Sequence, residues 1–222
     1  MNPSPATLPM HVDSHGGTLN GRRRGGVSPL ALLQAAVLGA GLSACGSSAP
    51  ITVLPTLASA DFAAVSCPAT AARFSVGAVQ DKRGNADPRN IGFTQTGAFN
   101  VKASLLAEPA PADLLRGTLT ALLARCGNLA DDGKEKYLLQ PSLLRLQLTE
   151  VTGMFSERIT AILKYETLIV DAGSLQRAGR ITVTGEAHES SGIDTSDYAA
   201  QVVQESLRQS LGDFSHQLRQ YQ

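Results

Sequence analysis

The chain has 222 residues with 19 Lys plus Arg against 19 Asp plus Glu, no Trp, and 5% aromatic residues. A balanced charge with no basic stripe argues against a nucleic-acid partner, and the scarcity of aromatic rings argues against a stacking platform for bases or sugars. The length suits one folded domain with additional terminal segments.

Residues 1–21 are rich in Pro, Gly, Ser, Thr and His without an apolar period, so they bury too little surface to order themselves. Arg22, Arg23 and Arg24 follow, then the uncharged run Val27 to Ala44. That order is the positive region, apolar region and small-residue junction of an export signal. The run is nearly long enough to cross a bilayer, which takes about 20 residues. Pro29, Gln34, Gly39 and Gly41 shorten its strongly apolar part and favour the signal.

Leu42, Ser43, Ala44 and Cys45 resemble the lipobox of bacterial lipoproteins. That resemblance implies cleavage before Cys45, lipidation of its sulfur and acylation of the new amino terminus. Several acyl chains, each burying methylenes at about 0.8 kcal/mol apiece, hold a folded domain at a membrane without a spanning helix. Gly46 follows where inner-membrane lipoproteins often carry Asp, so the resemblance favours the outer membrane, periplasmic face. The arginine run also resembles a twin-arginine signal, but Gly25 and Gly26 stand where that pattern wants an apolar residue.

The expected organisation is a signal with a polar lead over 1–44, a lipidated tether over 45–69, and a single α/β domain over 70–222. After processing, 16 Lys plus Arg would stand against 18 Asp plus Glu. Pro50 and Pro55 break the small and apolar stretch that reads as the tether. Cys67 and Cys126 remain in a compartment that oxidises thiols, and their spacing fits no zinc pattern.

"RFSVGAVQDKR" reads as a strand buried on both faces and ends in a polar turn. The apolar pair Ile91 and Phe93 and the alternating "AFNVKAS" suggest an edge hairpin. A helix is expected over 108–127, with Pro111 and Asp113 as start signals, Gly127 as stop, and Leu115, Leu119, Leu122, Leu123 and Cys126 on one face. Leu144, Leu146 and Leu148 alternate with Arg145, Gln147 and Thr149 in a half-buried strand. "RITAILKYETLIVD" and "GRITVTGEAHE" extend it to a meander. In the last strand Ile181, Val183 and Ala187 face inward. From Asp194 as N-cap, a final helix places Val203, Leu207, Leu211, Phe214, Leu218 and Tyr221 on one stripe.

The result is a two-layer α/β sandwich, β-α-β-β-β-α, with a mostly antiparallel sheet and two helices on one face. A crossover helix returns antiparallel to the strand it leaves, which brings the end of helix 108–127 to the start of strand 73–81. Cys67 and Cys126 are then neighbours, as a disulfide or as two buried thiols.

The element Val79, Asp81, Arg83, with Ile91 and Gly92 beyond it, resembles the YajG-like family of bacterial lipoproteins over about residues 70–215. The resemblance implies an envelope lipoprotein without an established biochemical activity. The long polar N-terminus and the Cys67/Cys126 pair depart from the family pattern. Asp81 and Arg83, two apart on a strand, share a face and can pair. They read as a polar docking point at a strand end or, preferred here, as a surface ion pair that fixes the turn and is worth little.

No catalytic constellation emerges. Beyond the signal the histidines are His188, on the wet face of a strand, and His216, on the polar side of the last helix. Asp131, Asp132 and Glu135 fit no calcium loop. The expectation is a non-enzymatic envelope lipoprotein that docks to a protein partner, with no cofactor or metal. The alternative is a carrier of a small lipid or cell-wall ligand, which would need an apolar cavity of several hundred cubic ångströms.

Overall fold

A computed structural model of the chain describes residues 49–55, 61–96, 101–131, 133–152, 157–191 and 195–221. Cys45, the arginine run, Asp132 and Asp194 lie outside the described residues. The strands are β1 (Ile51–Val53), β2 (Phe74–Val76), β3 (Gln80–Asp81), β4 (Asn90–Thr96), β5 (Val101–Ala107), β6 (Tyr137–Thr152), β7 (Glu157–Asp171) and β8 (Arg177–Ser191). The helices are α1 (Pro111–Arg125) and α2 (Thr195–Leu218).

Among the described residues, eight strands join one mixed sheet in the order β1-β5-β4-β6-β7-β8, with β2 and β3 also on β6. The alternating, β-branched runs of β6, β7 and β8 form the expected antiparallel meander. Residues 74–96 accompany β6 as one interrupted parallel strand: Phe74 stands opposite Tyr137, Asp81 opposite Leu143, and Phe93 opposite Thr149. Of its two interruptions, the one at residues 77–79 falls opposite Pro141 and the other, residues 82–91, opposite Leu144–Gln147. Leu139 and Leu143 accept N–H bonds from Gly77 and Lys82 on that side, so Pro141 faces it too and has no N–H to offer.

Pro111 opens α1 and Asp113 occupies its first turn; Asn128 and Leu129 both donate to the Leu123 carbonyl just past its end. α1 packs on β2 and β6, while α2 packs on β7 and β8 and reaches β1. The leucines expected on α1 and the stripe expected on α2 join one core with Phe74, Leu139, Leu163, Tyr165 and Ile169. The Tyr165 and Phe214 rings meet at 6.1 Å between centroids. α2 lies so close to the sheet that a Cβ on Gly185 would sit 1.9 Å from the Ser206 carbonyl oxygen. Small side chains let the helix come in: Ser206 and Ser210 are buried, and their hydroxyls donate to the Val203 and Leu207 carbonyls.

Three local expectations change. Residues 51–65 are not simply tether. β1 pairs in parallel with β5, Val53, Phe62 and Val65 are buried, and Arg125 donates to the Phe62 and Val65 carbonyls. The hairpin β4–β5 therefore lies inside the sheet, since β1 covers its outer strand. In β6 a bulge between Leu143 and Arg145 resets the alternation: Leu143 is fully buried and Leu144 only partly.

Candidate binding cleft

The polar turn after β3 is organised by Arg83. Its Nε donates to Asp81 Oδ1 at 2.9 Å and its Nη2 to Asp81 Oδ2 at 2.7 Å, a two-pronged pair. Nη1 donates to the Asn90 carbonyl at 2.9 Å, Nη2 also donates to the Pro88 carbonyl, and the Arg83 backbone N–H returns to Asp81. The side chain of Arg83 is 3% exposed and that of Asp81 23%. The hydrogen bonds from the Arg83 side chain hold the Asp81 carboxyl below the usual aspartate range against the opposing effect of burial. The pair thus ties the turn together, with the Arg83 side chain covered and Asp81 at the surface. A guanidinium so enclosed is not a docking point by itself.

Around this anchor the loop closes on its own polar groups. Asn85 donates to the Asn90 carbonyl at 2.8 Å, and the Asn90 side chain accepts from Gly92 N–H at 2.9 Å. Gly92 has φ +152°, and a Cβ there would lie 2.4 Å from the Leu148 carbonyl oxygen, so only glycine lets β4 meet β6 at this point. The register shift between Asn90 and Gly92 splits the apolar pair read from sequence: Ile91 is 1% exposed and in the core, while Phe93 is 55% exposed on the opposite face.

Phe93 borders a cleft of about 460 Å³ between β4 and β6. Arg83, Asn90, Lys102, Arg145 and Glu150 are among the residues that line it. Glu150 accepts the hydroxyl of buried Thr94, and Arg145 holds Gln147 at 2.8 Å. The sequence signal that could have found this place is a bulky aromatic directly after the glycine of a strand.

Cys67 and Cys126 are joined by a disulfide with 5.3 Å between Cα atoms, 59 residues apart in sequence. The return of α1 to the start of the first strand along β6 sets this up: Phe74 N–H donates to the Asn128 carbonyl at 2.9 Å. His188 and His216 are both exposed. Asp131 pairs with Lys134 at 3.6 Å, and among the described residues no cluster of His, Cys, Asp and Glu is placed to hold a metal ion. No described helix is long and apolar enough to cross a membrane.

No family model matches this sequence, and no curated protein matches it. Among solved structures, the Xanthomonas campestris protein XCC0632, of the DUF330 family, is similar at a TM-score of 0.54 and 13% identity, over 75% of this chain and 93% of its own. A PelC dodecamer from Paraburkholderia phytofirmans reaches a TM-score of 0.36 at 12% identity, over 65% and 88% of the two chains. A minor lipoprotein from Acinetobacter baumannii reaches 0.33 at 20% identity, over 50% and 83%. The first of these likenesses is one of overall fold.

Proposed function

We propose that this chain is a lipoprotein of the bacterial cell envelope, anchored through Cys45 at the periplasmic face of the outer membrane, and that it acts without catalysis as a docking component of an envelope complex. The observation that carries the reading is the Leu42-Ser43-Ala44-Cys45 run behind an uncharged segment and three arginines. The Cys67–Cys126 disulfide suits an oxidising compartment and supports the same placement. The Asp81-x-Arg83 element supports membership of the YajG-like family. A filled core, with Leu139, Leu163 and Tyr165 essentially inaccessible, favours docking over carriage of a lipid between sheet and helices.

On this reading the signal ends at Ala44, and only a few residues separate the lipid from β1. Metabolic labelling with a palmitate analogue tests it. The chain is expected to take up label and sediment with outer membranes, whereas Cys45→Ser is expected to remain unlabelled and unprocessed. A wild-type chain without label, fractionating as the serine variant does, overturns the anchor. Crosslinking in intact envelopes tests docking, which predicts a defined protein adduct.

A further inference from the structure

The pairing along β6 is broken on one side at the cleft. β2 stands opposite Tyr137–Leu139, β3 opposite Ser142–Leu143, and β4 opposite Leu148–Thr149. Among the described residues, Leu144–Gln147 therefore have no strand partner on that side, while β7 pairs with β6 along the other. Because Leu144 is the bulged residue, the stretch spans three ladder positions, opposite Ile162–Lys164 of β7, or roughly 10 Å at ~3.3 Å each. Leu146 shares the buried face of Leu148, and residues two apart aim their backbone groups at the same edge. The Leu148 carbonyl lies against Gly92, so the N–H and C=O of Leu146 aim at the cleft.

We propose that this cleft receives an extended, acidic peptide segment of a partner protein, which completes the ladder along Leu144–Gln147. The inference rests on the docking role proposed above and names the kind of partner. A peptide is the occupant whose repeating donors and acceptors match an interrupted ladder, and 460 Å³ is enough for a few residues. Phe93 offers an apolar wall for one of its side chains. Charge selects its character: Arg83 is neutralised by Asp81, and the remaining charges lining the cleft are Lys102 and Arg145 against Glu150, a net positive balance. Arg83 spends three of its five N–H groups on Asp81 and the Pro88 carbonyl and a fourth on the Asn90 carbonyl. With 3% of its side chain exposed, Arg83 bounds the cleft and leaves recognition to the exposed Phe93 and Arg145.

A library of random hexapeptides selected on the purified full-length chain tests this, followed by anisotropy measurements on enriched peptides. Enrichment of Asp and Glu is expected, with at least tenfold weaker binding when the central amides are N-methylated. Amides of residues 144–147 are expected to exchange more slowly in the complex. Phe93→Ala should weaken binding at least fivefold, and Arg145→Glu should shift the preference toward lysine-bearing peptides. Both side chains are exposed, so an unchanged Tm verifies that these variants fold. The proposal is overturned if no peptide is enriched over bare matrix. It is equally overturned if enriched peptides ignore both substitutions or protect another strand. The selection does not require the lipid, so its failure is distinguishable from failure of palmitate labelling.

Discussion

Burying Arg83 is tolerable because its guanidinium is met by a carboxylate and two carbonyls, which replace most of the water it loses. Arg83→Ala leaves Asp81 and two loop carbonyls without their donor; because water reaches Asp81, we expect a loss of about 1–2 kcal/mol in urea unfolding. Lysine at this position should rescue little, because a single ammonium cannot span the fork. The pair also sets a pH dependence. The Asp81 carboxyl titrates lower when folded than unfolded, first because of the Arg83 side-chain hydrogen bonds. Its stabilisation is therefore complete above the unfolded value of about 3.9 and is lost as pH falls through the folded value. Thermal melts across that acid range should show a shallower decline for Asp81→Asn than for the natural chain.

At the scale of elements, the approach of α2 to β8 leaves no room for a methyl group at Gly185, where backbone lies in the way. Gly185→Ala should cost about 1–3 kcal/mol by forcing the helix outward. Gly212, on the same helix, has open space around its would-be Cβ, and Gly212→Ala should instead stabilise by about 0.5–1 kcal/mol. Opposite signs in paired thermal melts would verify the packing of this helix. The disulfide ties the end of α1 to the segment before β2. In the chain-entropy account, a loop of this length contributes about 4 kcal/mol, so Cys67→Ser with Cys126→Ser should lower the melting temperature markedly under oxidising conditions.

For the molecule as a whole, the boundary of the folded unit is the prediction at issue. Val53, Phe62 and Val65 are buried in the common core, and burying each contributes about 1.5–3 kcal/mol. Their sum is comparable to the roughly 5–15 kcal/mol by which a domain is stable. A chain lacking residues 1–48 should keep a cooperative melt, whereas one lacking residues 1–66 should lose it. Circular dichroism during heating separates the two. The same calculation shows why the stretch could be mistaken for tether: three apolar residues between prolines have no period, and their value appears only when β5 and α1 stand beside them.

The sequence by itself determined the three long strands, both helices and the inward stripe of α2, because periods of two and 3.6 are properties of the local chain. It also determined that Asp81 and Arg83 could pair and that the end of α1 returns toward Cys67. Tertiary structure alone decided that Arg83 is enclosed, that Phe93 faces outward while Ile91 faces in, and that, among the described residues, a short stretch of β6 has no strand partner on one of its two sides. Arg83 is enclosed by the turn that folds over it; for the strand faces the physical reason is register. Bulges at Ile91 and Leu144 shift alternation by one residue, and a shift of one exchanges the two faces of a strand. Such a shift arises from which strands meet and where a proline or glycine interrupts them, and local periodicity carries no record of it.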